Sequence, residues 1–268
     1  MKKIHLPKLI AFVFIVSWIG IVPGLLKAHE IPIPNWVNFL SVFMVLGPLL
    51  GAVLFVYKSS GKAGLKQFFG RFLRFRTSLV VILIAIMTPV VLSFLGPYLG
   101  LKIAGVPWPE EFTTSSILRT AVITFLMYLV VNTEEFVWRG IVFDRFYDKF
   151  GYVKACLLLI PIWGIFHLPL FLFPGGHLAG YSVLDFAFLV IPSTFVLGWI
   201  YINSNRSLFY VHINHQLLNG VGQAFPLFPV FIGGLMAPVR VFCAIYSVVA
   251  LALIIHQVWK GKRPHSSI

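Results

Sequence analysis

Two adjacent glutamates, Glu134 and Glu135, follow a long apolar stretch of the chain. They are two of only eight acidic residues in the whole sequence. A carboxylate at membrane depth costs several kcal/mol unless it is paired, hydrated or protonated, so an ionisable residue there is a functional candidate. Such a carboxylate can act as a general base that takes a proton from water. The chemistry to expect is therefore proton transfer, for which the glutamates need polar partners on other segments.

Two later apolar stretches supply such partners. His167 lies mid-way along one of them, and His215 and Asn219 lie in another. Residues four apart share one face of a helix, so His215 and Asn219 point the same way. A histidine beside a carboxylate, together with a His/Asn pair, can activate water and stabilise an oxyanion. His212 shares a stripe with this pair, nearer the start of the helix, and is a competing candidate.

Each of these residues also has a purely structural interpretation. Adjacent acids at a helix end are commonly solvated, an intramembrane histidine is commonly a packing residue, and Asn219 could join two helices. Glu135 could pair with Arg139, four residues later, whereas Glu134 is turned by about 100° from Glu135 on a helix. The joint occurrence of these residues in a chain poor in polar groups favours a site in which Glu134 does chemistry and Glu135 holds Arg139.

The composition places these residues in a membrane protein. Of the 268 residues, 59% are hydrophobic and 11% are charged, whereas a soluble domain is roughly half apolar and about a quarter charged. Apolar runs of about 20 residues can span a bilayer. The sequence therefore predicts an all-α, polytopic integral membrane protein, with residues 1–268 forming a single membrane domain of about eight transmembrane helices.

The predicted spans, in chain order, are 6–26, 36–57, 78–101, 115–138, 153–173, 182–202, 208–221 and 239–260. The seventh is short, and the Pro- and Gly-rich region 225–237 that follows it is predicted to hold a broken or interfacial helix. The segment 58–77 mixes basic and aromatic residues, which is typical of an amphipathic elbow at the inner interface.

The net charge of +13 is explained by the position of the basic residues. With the N-terminus inside and its apolar run uncleaved, 17 of the 21 Lys and Arg residues fall on one side of the predicted spans. The positive-inside rule places such segments in the cytoplasm. We therefore expect a multi-pass protein of the cell membrane with both termini cytoplasmic and with anionic lipid at its basic loops. This distribution argues against a nucleic-acid partner, and the oligomeric state is not indicated.

Three motifs occur in order on successive polar segments: Glu-Glu-x-x-x-Arg at Glu134, Glu135 and Arg139, Phe-x-x-x-His with Trp163 in the Phe position before His167, and His-x-x-x-Asn at His215 and Asn219. Together they resemble the CAAX-protease and bacteriocin-processing family (CPBP or Abi family) of intramembrane glutamic endopeptidases. The resemblance covers roughly residues 115–220, which would form the catalytic core.

The resemblance implies catalytic roles for Glu134, His167, His215 and Asn219. It implies supporting roles for Glu135 and Arg139. Glu134 would be the general base and would polarise a water molecule with help from His167. The His/Asn pair would stabilise the oxyanion. No metal is required in this scheme, although two histidines and a glutamate could instead bind zinc and leave an open position for water.

The expected function is an intramembrane endopeptidase that hydrolyses a peptide bond of a membrane-associated peptide or protein. Since the family also includes bacteriocin self-immunity proteins and membrane regulators, the alternative is a non-catalytic membrane immunity or regulatory partner on the same fold. Prenylated CAAX tails, peptide precursors and bacteriocin leaders all fit as substrates. Sequence signatures of serine hydrolases and phosphate-binding loops are absent.

Overall fold

The computed structural model describes residues 4–174, 176, 178 and 180–262, and each regular element within them is helical. The α-helices are α1 (Leu6–Ala28), α2 (Val42–Phe69), α3 (Leu79–Ala104), α4 (Thr114–Val131), α5 (Glu134–Val137), α6 (Asp144–Phe150), α7 (Tyr152–Phe166), α8 (Val183–Asn203), α9 (Leu208–Gly222) and α10 (Ala237–Lys262). A π-helix, Trp138–Phe143, joins α5 to α6, and short 3₁₀ segments lie at Asn35–Ser41, Gly70–Leu73, Leu168–Leu172 and Pro229–Phe231. The basic residues Lys2, Lys3 and Arg263 lie outside the described residues.

Within the described part of the chain, seven helical stretches are long and apolar enough to cross a membrane. They correspond to all of the predicted spans except the seventh, so the prediction of an all-α, polytopic membrane protein is confirmed. The seventh, α9, has only 15 residues, which is shorter than the roughly 20 residues that a crossing needs. Helix α9 packs instead between α3 and α4, and carries polar residues into the interior.

A series of contacts connects the end of α10 with residues near the start of α1. Lys260, near the end of α10, donates to Asn203 Oδ1 at the end of α8 (3.0 Å). Arg206, just beyond α8, forms an ion pair with Asp148 (2.7 Å), and Asp148 shares a surface depression with Ile4. A common side of the membrane for both termini stays a prediction. That this end faces the cytoplasm stays a prediction from the charges.

The segment predicted as an elbow, 58–77, is tied to the interior through Arg71. Helix α2 bends at Gly61, whose φ of 62° lies in the region that favours glycine. Beyond the bend, Arg71 Nη1 donates to Gly140 O (3.1 Å), Asp144 Oδ2 (3.2 Å) and Tyr201 OH (2.8 Å). Arg71 therefore connects this segment to the π-helix and to the start of α6. The position of the segment at the membrane interface stays a prediction.

The fourth predicted span, 115–138, differs from the structure at its C-terminal end. Helix α4 ends at Val131, Asn132 adopts an extended conformation with ψ at 105°, and a new helical segment begins at Glu134. The two glutamates therefore open a segment after a helix break instead of ending a long apolar helix. The π-helix that follows is a rare element often found at functional sites.

Candidate active site

The helix break fixes the backbone that carries the glutamates. The side-chain oxygen of Asn132 accepts a hydrogen bond from the Glu134 N–H (3.1 Å), and the Thr133 hydroxyl donates to Val45 O in α2. Asn and Thr are residue types that commonly precede a helix and bond its first free N–H groups. The break was not predicted, because hydropathy alone does not reveal it. Asn132 and Thr133 are the residues in the sequence that could have indicated it.

The Glu134 carboxylate is held by two tryptophans. Its Oε2 accepts the indole N–H of Trp138 (3.0 Å) and that of Trp163 in α7 (2.8 Å). Its Oε1 accepts no hydrogen bond from any residue that the structure describes, and the side chain is 17% exposed. One carboxylate oxygen is thus fixed by the protein, and the other is free to accept a proton.

His167 faces this carboxylate from the end of α7. It is the C-cap of α7 and lies, as predicted, inside an apolar span, because the stretch Tyr152–Leu172 continues past it as a 3₁₀ helix. Its Nδ1 lies 2.8 Å from Trp163 O, and a carbonyl only accepts, so Nδ1 carries the proton. Its Nε2 lies 3.7 Å from Glu134 Oε2. A water molecule can bridge two polar groups at such a separation.

The second glutamate forms a separate, fully buried cluster. Glu135 Oε1 accepts from Arg139 Nη1 (2.8 Å), as predicted, and from His215 Nδ1 (2.7 Å), which was not predicted. The side chains of Glu135 and Arg139 are 1% and 0% exposed. The Arg139 guanidinium also lies 4.2 Å from the centre of the Trp163 ring. His215 is thereby fixed by a carboxylate on Nδ1, and only its Nε2 remains to act on a ligand.

Two adjoining cavities, of about 190 and 90 Å³, have His167, His215 and Asn219 in common. Glu134 lines the larger cavity, so the four residues predicted to be catalytic meet there. No hydrogen bond ties the Asn219 amide to the described part of the chain, so its N–H groups are available. The smaller cavity is mainly apolar, with walls that include Phe186, Leu189, Val190, Leu218 and Phe242.

His212, the competing candidate, lies outside both cavities. Its ring lies against the helix break: Nε2 is 3.1 Å from Leu129 O, and Nδ1 is 3.2 Å from Gln216 Nε2. Gln216 Nε2 also donates to Asn132 O, at 3.4 Å. These two side chains bond carbonyls that the end of α4 leaves without a helical partner. His212 therefore supports the site from behind.

Among the described residues, no group of three or more His, Cys, Asp or Glu side chains converges as a metal site would require. The titratable groups form two pairs instead, with Glu134 facing His167 and Glu135 bonded to His215. Zinc stays an alternative to be tested.

Residues 113–221 match the family model described as type II CAAX prenyl endopeptidase, Rce1-like. Over these residues the chain is similar to the CAAX protease family. The matched segment runs from the N-cap of α4 to the last turn of α9, and it contains all six residues assigned from the motifs. The family resemblance is thereby confirmed.

A CAAX prenyl protease 2 from Methanococcus maripaludis is 26% identical over 103 residues. The match covers 36% of this chain and 38% of the length of that relative. The similarity is therefore confined to a part of each protein.

Proposed function

We propose that the protein is an intramembrane endopeptidase that hydrolyses a peptide bond of a membrane-associated peptide or protein. The observation that carries this proposal is the meeting of Glu134, His167, His215 and Asn219 in one cavity, although they come from three separate segments. The family match and the name of the archaeal relative support peptide hydrolysis.

Water activation is assigned to Glu134 and His167. With its proton on Nδ1, a neutral His167 can only accept at Nε2. A water between the two side chains would donate one hydrogen to the carboxylate and the other to Nε2. Its lone pairs would then face the cavity, where they can attack a peptide carbonyl. Glu134 takes up the proton as the carbon–oxygen bond forms.

The oxyanion is assigned to Asn219 and His215. The Asn219 amide donates an N–H directly. Since His215 already donates from Nδ1 to Glu135 (2.7 Å), its Nε2 can donate only when the ring carries two protons. The buried Glu135 carboxylate is the anion with which such a ring pairs. Glu134 then passes its proton to the leaving nitrogen, the peptide bond breaks, and the carboxylate is regenerated.

The location is part of the same proposal. The seven apolar stretches make a multi-pass membrane protein. We assign it to the cell membrane, with its basic end in the cytoplasm and in contact with anionic lipid. The substrate would then be cleaved from the cytoplasmic side.

The test compares the membrane peptides of cells that produce wild type, Glu134→Gln or His167→Ala. Glu110→Gln, an exposed glutamate outside the site, is the matched control. We expect at least one cleavage product that is present with wild type and Glu110→Gln and missing with the two site variants, while all proteins insert. Equal products from all four strains would reject this mechanism and favour the non-catalytic immunity or regulatory alternative.

A further inference from the structure

Trp163 contacts four of the site residues. Its indole N–H donates to Glu134 Oε2 (2.8 Å), and its ring centre lies 4.2 Å from the Arg139 guanidinium. The ring also meets the rings of His167 and His215 edge to face, with centres 5.7 and 5.6 Å apart. A phenylalanine, the residue of the motif at this position, could supply the ring contacts but has no N–H to donate.

Trp163 also holds His167, by a different group. Its backbone carbonyl accepts the hydrogen bond from His167 Nδ1 (2.8 Å). One residue therefore binds both members of the water-activating pair: the indole N–H fixes Glu134, and the carbonyl fixes the imidazole. The other indole donor, Trp138, lies only four residues after Glu134; it packs on Phe166 of α7, with ring centres 5.1 Å apart, but forms no hydrogen bond to His167 among the described residues.

We propose that Trp163 is a positioning residue that sets the spacing between Glu134 and His167 through its indole N–H. The proposal rests on the proposed function, because it assigns that spacing of 3.7 Å to water activation. With Oε2 held by the two indoles, the carboxylate cannot rotate freely. Displacement of a catalytic group by about 1 Å can reduce a rate about 100-fold.

The first test is Trp163→Phe, which keeps an aromatic ring at this position and removes the indole N–H together with part of the ring system. Kinetics are measured in proteoliposomes on a synthetic copy of the peptide whose cleavage depends on Glu134. We expect kcat to fall about 10- to 100-fold while KM stays within about twofold, because substrate binding does not use the indole N–H. Trp199→Phe is the control: it deletes a buried indole N–H that donates to His256 Nδ1 (3.1 Å), away from the site. An unchanged kcat for Trp163→Phe, or an equal loss in Trp199→Phe, overturns the positioning role.

The second test needs no substrate. The apparent unfolding temperatures of Trp163→Phe, Glu134→Met and the double variant are compared with wild type. If the indole acts on the carboxylate, the shift of the double variant is smaller than the sum of the single shifts, since both changes remove the same bond. Additive shifts overturn the contact. If no cleavage product depends on Glu134, the proposed function fails, and the catalytic role of Trp163 fails with it. The unfolding temperatures test the contact between Trp163 and Glu134 independently of that result.

Discussion

Replacement of Arg139 by Met tests the buried charge pair behind the cavity. The Arg139 and Glu135 side chains are 0% and 1% exposed and lie 2.8 Å apart. Removal of one partner from such a pair typically costs about 3–5 kcal/mol of unfolding free energy, because the remaining charge is left without compensation. His215 keeps its own bond to Glu135, so we expect the lower end of this range, about 3 kcal/mol.

The stacking of the guanidinium on Trp163, at 4.2 Å, is lost in the same variant. A desolvated cation–π contact contributes about 2 kcal/mol, which brings the expected loss to about 5 kcal/mol. His215 would also gain freedom, since Glu135 would no longer be held between two donors. We therefore expect Arg139→Met to lose cleavage activity as well as stability.

The unfolding free energy is measured by denaturant titration of purified protein in detergent. The double variant Arg139→Met/Glu135→Met is expected to recover part of the lost stability, because apolar replacement of a whole buried pair is often nearly neutral. Arg240→Met is the control. Arg240 pairs with Asp185 but is 59% exposed, and exposed pairs contribute little. The reasoning is refuted if the double variant is less stable than Arg139→Met, or if Arg240→Met is as harmful as Arg139→Met.

Three further properties can be tested separately: the contribution of His212 to stability at the helix break, the membrane orientation and the metal content. His212→Ala leaves the Leu129 carbonyl unbonded in the interior and should cost about 1–3 kcal/mol in the same titration, whereas His29→Ala, at an exposed histidine–carbonyl bond, should cost nothing measurable. In intact cells, a membrane-impermeant maleimide should label Glu110→Cys and not Lys62→Cys, two exposed positions that the charge rule places on opposite sides; the reverse pattern would contradict the predicted orientation. Purified protein should hold less than stoichiometric metal and keep its activity after strict chelation, and stoichiometric zinc that is needed for activity would support the metal alternative.

Composition and spacing predicted the apolar helices and the four candidate catalytic residues that meet at the larger cavity, because both depend on local regularities of the chain. A run of apolar residues encodes a span, and a spacing of four encodes a shared helix face. The bond between His215 and Glu135 depends on how α9 crosses α5, which no periodicity encodes. The two indole donors on Glu134 could not be predicted for the same reason, although Trp163 departs from the motif in the sequence.

The polar residues of α9 also show why a polar residue in a membrane helix need not be chemical. His215 and Asn219 face the cavities, whereas His212 and Gln216, on the neighbouring face, bond carbonyls at the end of α4. Asn214 donates to Ala85 O in α3 (2.9 Å). Ala85 lies four residues before Pro89, which has no N–H to bond that carbonyl. In the sequence all five are equally costly polar residues. Three of them, His212, Asn214 and Gln216, bond backbone carbonyls that a helix break and a proline leave without a helical partner. His215 and Asn219 are the two that face the cavities.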